Sequence, residues 1–354
     1  MKNIYVIRPF GFNIGNHVIF DGLKQLIAKV FQEPINIISL PATNKYNSLG
    51  KSGLTADSIY EINQYGDGVI VGGGNLLENG ELEINEFAIQ ALRPPLMVAG
   101  ISWGNVYDRF GRLVPRTDSL PDSKIRALME KSSIVLVRDI PTKEHLELQQ
   151  VRSVSVGGCP SLFLTKPSKN QKLEGATLLS IRHPALMSIS PFHQSRVRND
   201  IRELYRFFKA QNTSLQLLCH DHRDISFASS FPECEYHYTE DSNHFLSMIA
   251  SADSVISFRL HSFLPAVVYK THAVNLSYDQ RAASALCSLG LDKWNIDYLN
   301  DSSPLELVLA RYSDRLGFTS LLREASTIQD ELKNKQVEGM KQFVELVHNY
   351  NSGQ

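Results

Sequence analysis

The segment "SFRLHSFLPAVVYKTHAVNLSYDQR", residues 257–281, places Arg259, His261 and Arg281 at the turns of what reads as a strand, a helix and a second strand. Guanidinium groups form two-pronged hydrogen bonds with carboxylates and phosphates, and imidazole exchanges a proton near neutral pH. One residue separates Arg259 from His261, so an extended backbone projects both to the same side. Arg138 closes the apolar run "SIVLVRD" and adds a cation at another strand's carboxyl end. The pair Arg138–Asp139 also reads as a local salt bridge, or Asp139 as the cap of a helix that Pro141 opens. Core building needs none of these cations. Their clustering in a chain of net charge -1, with 36 basic and 37 acidic residues, points to a local anionic ligand held by a site. The same balance excludes a general nucleic-acid surface or a polybasic membrane surface.

Further polar groups follow apolar runs. "FNIGNH" offers Asn13, Asn16 and His17 ahead of the helical pattern "VIFDGLKQLIAKV". Asn16 reads as an N-cap, or the helix start as a seat for an anion or a sugar. "VIVGGGN" supplies Gly73, Gly74 and Asn75, which suit an anion-binding nest or a tight strand-to-helix turn. Neither GxGxxG nor GxxxxGK[ST] is present, so no dinucleotide fingerprint or P-loop is expected. Arg182 and His183 in "SIRHP" and Tyr278 in "SYDQR" occupy comparable positions. "HDHRD", residues 220–224, has the residue types of a metal site, but its spacing is unspecific and no partner ligand is marked elsewhere, so no metal is expected. Trp103 reads as a core aromatic rather than a sugar platform. No Gly-x-Ser-x-Gly or cysteine–histidine pattern signals a covalent nucleophile.

The elements that must carry these groups are legible from periodicity. Strands are expected near 3–8, 35–40, 68–72, 95–101, 133–138 and 153–157, then near 177–182, 215–219, 234–239, 254–258 and 273–277, with amphipathic stretches between. Val- and Ile-rich runs alternating with helices indicate α/β architecture with parallel sheets covered on both faces. At 354 residues two domains are expected. We read one doubly wound lobe over 1–165, a linker over 166–175 where "TKPSKNQKLEG" loses periodicity, a second lobe over 176–310 and closing helices over 311–354. Open parallel sheets bind ligands beyond the carboxyl ends of their strands, so the groups above would face one central cleft.

No stretch has the roughly 18 apolar residues of a membrane span, and the start "MKNIYVIRPF" is too short in apolar residues for a signal sequence. Cys159, Cys219, Cys234 and Cys287 are spread without a CxxC pair, which fits reduced thiols and a cytoplasmic location.

In order and spacing, "NIGN", "VIVGGGNLL", "VLVRD", "GCPSLF", "SIR", "SFRLHS" with "YDQR", and "SLGL" resemble the polysaccharide pyruvyl transferase family over most of the chain. The resemblance implies two Rossmann-like doubly wound lobes, similar to B-type glycosyltransferases. It implies transfer of the pyruvyl group of phosphoenolpyruvate onto two hydroxyls of one sugar, giving a cyclic ketal on a surface polysaccharide or its lipid-linked precursor. Phosphoenolpyruvate is the donor substrate and no cofactor is implied; a lipid-linked acceptor would bring the protein to the membrane surface. On the family pattern Arg138, Arg259 and His261 stand where phosphoenolpyruvate is held, with His261 as general acid or base. The first lobe is expected to face the acceptor and the second the donor. Arg281 stands where a lysine is usual, Asn16 where an acid is frequent, and Ser262 where alanine is common. The alternatives are a nucleotide-sugar glycosyltransferase of the same fold and a non-catalytic saccharide-binding paralogue. Acceptor sugar and oligomeric state have no readable code in the chain.

Overall fold

The structure, a computed structural model, describes residues 1–46, 50–78, 80–108, 110–168, 173 and 175–352. The first lobe carries β1 (Lys2–Arg8), β2 (Ile35–Pro41), β3 (Gly68–Gly74), β4 (Leu96–Ile101), a hairpin of β5 (Val106–Tyr107) and β6 (Leu113–Val114), then β7 (Ile134–Val137) and β8 (Val154–Val156). Its six-stranded sheet runs β2-β1-β3-β4-β7-β8, parallel throughout. Helices α1 (Ile14–Val30), α2 (Ala56–Tyr65), α3 (Asp122–Lys131) and α4 (Ile140–Leu148) connect these strands. In β3 and β4 every residue is buried, as expected of central strands covered on both faces.

In the second lobe β9 (Thr177–Ile181), β10 (Leu215–Cys219), β11 (Tyr236–His237), β12 (Ser254–Ser257), β13 (His272–Ser277) and β14 (Asn295–Asp297) form a parallel sheet in the order β11-β10-β9-β12-β13-β14. That is the strand order of the dinucleotide-binding fold, with its switch point between β9 and β12; in the first lobe the order reverses between β1 and β3. The intervening helices are α5 (Pro191–Ala210), α6 (Ile225–Ala228), α7 (Ser242–Ser251), α8 (Leu260–Tyr269) and α9 (Gln280–Ser288), followed by α10 (Pro304–Ser313) and α11 (Arg315–Ser352). Three strands went unread in the sequence: β5, β6 and β14 have two or three residues each, too few to establish a period. Half of the linker read at 166–175 lies outside the described residues.

Two helices tie the lobes together. From α1, Ile14, Val18 and Ile19 join a cluster with Phe245, Phe263 and Leu264 of the second lobe, whereas Leu23, Leu26 and Ile27 pack on Ile4 and Val6 of the first. Gly22 makes this possible: a Cβ there would lie 2.3 Å from the carbonyl oxygen of Pro160 in "GCPSLF". The closing helix α11, about 57 Å long at 1.5 Å per residue, buries Leu321, Ala325 and Leu332 against the second lobe's Leu289 and Trp294. It then buries Met340, Phe343 and Val347 against the first lobe's Ile4 and Met97. Among the described residues no helix is long and apolar enough to cross a membrane.

Candidate active site

Between the carboxyl ends of the two sheets lies a cavity of about 460 Å³. Four helices begin around it: α1, capped by Asn13; α4, capped by Asp139; α8, which starts after Arg259; and α9, capped by Asp279. Converging helix N-termini add partial positive charge to a site already rich in guanidinium groups.

Arg259 follows β12 and is buried. Its side chain crosses to the first lobe and donates to Asn13 Oδ1 at 2.8 Å, and the same oxygen accepts from the Gly15 backbone N–H at 3.1 Å. Asn13, not Asn16, is therefore the N-cap of α1; Asn16 lines the cavity, its side-chain amide 3.5 Å from the Phe10 carbonyl oxygen. Burial, then the neighbouring Arg182 charge, lowers Arg259 to about 10.

His261 lies in the first turn of α8 with non-helical φ and ψ of -88° and 18°. Pro265, four residues on, has no N–H to bond the His261 carbonyl, so the turn relaxes and the imidazole lies beside Gly15 and Cys159. Its Nε2 is 3.7 Å from Cys159 Sγ. Burial, reinforced by Arg138 and Arg259, pushes His261 down to about 3, so the imidazole is neutral in the unliganded cleft.

Arg138 realises both sequence readings at once. Its Nε pairs with Asp139 at 3.1 Å, while Asp139 Oδ1 caps α4 by accepting from the Thr142 N–H at 3.1 Å. Arg138 Nη2 also donates to the Arg281 carbonyl oxygen across the cleft. Arg281 is held by Asp279 and reaches Glu78 Oε2 at 3.4 Å. Burial opposes its charge, but Asp279 and Glu78 hold its pKa above the ordinary value; burial likewise pushes the Glu78 carboxyl upward against the pull of Arg281.

Of the expected contacts, Asn13, Asn16, Gly74, Asn75, Arg182 and Tyr278 line the cavity with Arg138, Arg259, His261 and Arg281. Three others are not among the residues that line it. His17 points off the cavity because it is one helical step, about 100°, from Asn16; burial and Arg8 lower its pKa. Gly73 serves packing: its φ is +76° and a Cβ would meet Ile19 Cγ2 at 2.2 Å, leaving Gly74 as the glycine of the triplet that borders the cavity. His183 caps the turn Pro184–Leu186, its Nδ1 accepting from the Ala185 N–H at 3.2 Å and its own N–H bonded to Asp224.

"HDHRD" is a scaffold. His220 Nε2 is bonded to Ser262 Oγ at 2.5 Å, Asp221 holds Arg223, and Asp224 accepts from the backbone N–H groups of His183 and His220. Trp103 stacks on His145 at 4.0 Å, packed on the first lobe's core. Arg116 and Arg223 line the cavity and were missed. Arg223 sits in a motif read for metal, and Arg116 in a loop, "VPRTD", with no period to place it.

No curated protein matches the chain. Among solved structures, the S. aureus MnaA–UDP co-structure superposes with a TM-score of 0.59 at 14% identity, covering 98% of each chain. UDP-GlcNAc 2-epimerase from Neisseria meningitidis, bound to UDP-GlcNAc, superposes with 0.57 at 11% identity, covering 99% of this chain and 100% of that one. The Methanocaldococcus jannaschii UDP-GlcNAc 2-epimerase gives 0.53 at 12% identity, covering 89% and 93%. At such identities the likeness is one of fold: two Rossmann-like lobes of glycosyltransferase B type about a cleft. The sequence is more specific. The family model described as polysaccharide pyruvyl transferase matches residues 13–280, from the Asn13 cap to the residue before Arg281, and the chain belongs to that family.

Proposed function

We propose that this protein transfers the pyruvyl group of phosphoenolpyruvate to two hydroxyls of one sugar, forming a cyclic ketal and releasing inorganic phosphate. The observation that carries the reading is the convergence of Arg138, Arg259 and Arg281 on a cavity that also holds His261, in a chain of net charge -1. Phosphoenolpyruvate presents a carboxylate and a phosphate on a three-carbon frame, so several fixed cations around one point match it. The acceptor is a saccharide, free or lipid-linked, entering from the first lobe past Asn13, Asn16 and Asn75, and the reaction uses neither metal nor nucleotide.

In the reaction the donor's methylene carbon gains a proton, and C2 becomes electrophilic. A sugar hydroxyl attacks C2, the bond from C2 to the phosphate oxygen breaks, and the second hydroxyl closes the ketal. Of the two hydroxyl protons, one balances the new methyl group and the other leaves with phosphate. His261, neutral in the unliganded cleft, begins as the proton acceptor for the attacking hydroxyl. A bound dianion offsets Arg138 and Arg259, which restores basicity to the imidazole at the stage that needs it.

The test is a thermal-shift titration with phosphoenolpyruvate and with a nucleotide sugar, on the wild type and on Arg259→Ala. Stabilisation by phosphoenolpyruvate that is lost in the variant supports the reading and directs an acceptor screen read as phosphate release. A response to the nucleotide sugar alone would move the protein to the glycosyltransferases.

A further inference from the structure

Six arginines line the cavity, and they fall into two classes. Four are matched by carboxylates: Arg116 with Asp118, Arg138 with Asp139, Arg223 with Asp221, and Arg281 with Asp279 and Glu78. Arg182 and Arg259 are not. Arg182 donates through Nε to the Leu186 carbonyl at 3.1 Å, and Arg259 donates to the amide oxygen of Asn13. Among the described residues, neither lies within ion-pair distance of a carboxylate.

Sheet register makes these two neighbours. β9 and β12 are adjacent and parallel, with Ser180 opposite Ser257, and the ladder continues through the bond from the Phe258 N–H to the Ser180 carbonyl. Two residues beyond that pair on each strand stand Arg182 and Arg259, flanking the switch point of the second lobe, where the connections leave to opposite faces of the sheet and open a crevice. The first turn of α8 begins at Leu260, directly after Arg259.

We propose that Arg182 and Arg259 together form the seat of the donor's phosphate, so that Arg182 is a substrate-binding residue that selects a phosphorylated donor. This rests on the function proposed above and deepens it. Two adjacent guanidinium groups without carboxylate partners repel each other in the unliganded cleft, and an anion between them removes the repulsion. A phosphate ester carries a charge of about -1.5 to -2 at pH 7 and three acceptor oxygens, enough to engage both forks. A carboxylate carries a single charge and would leave one guanidinium unbalanced. Asp221 and Asp224, whose charges act on Arg259, are themselves taken up by Arg223 and by backbone N–H groups. Burial and then the Arg182 charge lower the pKa of Arg259, against smaller upward pulls from Tyr278, Asp224 and Asp221. Arg138 and Arg281, though paired with carboxylates, supply hydrogen-bond donors to the rest of the donor.

The experiment is calorimetric or thermal-shift titration of the full chain with inorganic phosphate, phosphoenolpyruvate and pyruvate, for wild type, Arg182→Gln, Arg182→Lys and Arg206→Gln, the last at an exposed arginine outside the cavity. Arg182→Gln is expected to weaken phosphate and phosphoenolpyruvate at least about tenfold, the factor that one lost charge-assisted hydrogen bond supplies, and to leave pyruvate within about threefold. Arg182→Lys, which keeps the charge but not the fork, should fall between wild type and Arg182→Gln and carries the test if the glutamine variant does not fold. Arg206→Gln should bind phosphate within about threefold of wild type. Retention of phosphate and phosphoenolpyruvate affinity in both Arg182 variants overturns the proposal, as does equal loss of pyruvate or a wild type that ignores phosphate. If phosphate binding depends on Arg182 but phosphoenolpyruvate binds no better than phosphate, the seat stands and the pyruvyl-donor reading fails.

Discussion

The guanidinium of Arg138, at the end of β7, donates to the backbone carbonyl of Arg281, at the start of α9, across 3.1 Å of the cleft. One side chain thus pairs with its own neighbour Asp139, borders the cavity and fastens the first lobe to the second. Arg138→Ala would leave Asp139 buried without its cation, a loss of about 3–5 kcal/mol for a pair of this kind. Urea unfolding should show an unfolding free energy lower by that amount, read as a lower midpoint at unchanged slope, and an unchanged midpoint would mean that the pair contributes nothing.

Histidines set the acid side of the stability curve. His261 is held near 3 in the folded chain, against about 6.5 when unfolded. Below pH 6.5 the unfolded state therefore takes up a proton that the native state refuses. Stability is flat in this group's contribution above pH 6.5 and declines from there toward pH 3, by about 2 kcal/mol between 6.5 and 5. His220, pushed well down by burial, and His272, pushed down to about 4, act in the same window. Replacing His261 with glutamine should flatten the slope of unfolding free energy between pH 5 and 6.5 by about one proton; the same slope in both proteins would contradict a depressed His261.

Gly104 leaves room for Arg281, since a Cβ there would lie 2.6 Å from Arg281 Cγ. Gly104→Ala must displace that side chain from Asp279 and Glu78, at a cost of about 1–3 kcal/mol. Phosphate release from phosphoenolpyruvate in the presence of acceptor should drop about tenfold. Arg281→Lys, which installs the residue usual in the family, should retain more activity than Gly104→Ala, because the charge remains. The opposite order would show that the forked geometry of Arg281 outweighs its charge.

Gly22 is a packing requirement without chemistry. Its hypothetical Cβ lies 2.3 Å from the Pro160 carbonyl, a backbone atom that cannot rotate away. Gly22→Ala should destabilise the fold by about 1–3 kcal/mol or more despite alanine's better helix propensity. Guanidinium unfolding provides the check, and a stabilised variant would refute the contact.

Ser262 has a structural task that its position in "RLHS" does not reveal. Its hydroxyl lies 2.5 Å from His220 Nε2 and 2.9 Å from Ser180 Oγ, all three residues being buried. Ser262→Ala should cost about 1–3 kcal/mol by leaving the His220 ring unsatisfied, with donor affinity unchanged. A double variant with His220 replaced by an apolar residue should recover part of the loss.

Much of this molecule is written locally. Apolar runs of four to seven residues placed β1, β3, β4, β7, β9, β10, β12 and β13, because central strands of a covered parallel sheet must be apolar on both faces. The rule that ligands sit beyond the strands' carboxyl ends is enough to bring Arg138, Arg259 and His261 to one cleft. Arg116 escaped because its loop has no period, and that His17 and His183 do not line the cavity is not legible, because adjacency in sequence says nothing of which way a helix or turn rotates a side chain.

The sequence by itself determined the α/β class, the two lobes, the family and the identity of the central cations, all of which rest on patterns spanning a few residues. Tertiary structure decided which cations are already matched. Asp118, Asp139, Asp221 and Asp279 are near their arginines in the chain, but Glu78 reaches Arg281 across 203 residues, and Asn13 reaches Arg259 across 246. Whether a guanidinium is a structural tie or an open seat for an anion depends on carboxylates within a few ångströms in space. Coulomb energy falls with distance in space, not with separation along the chain.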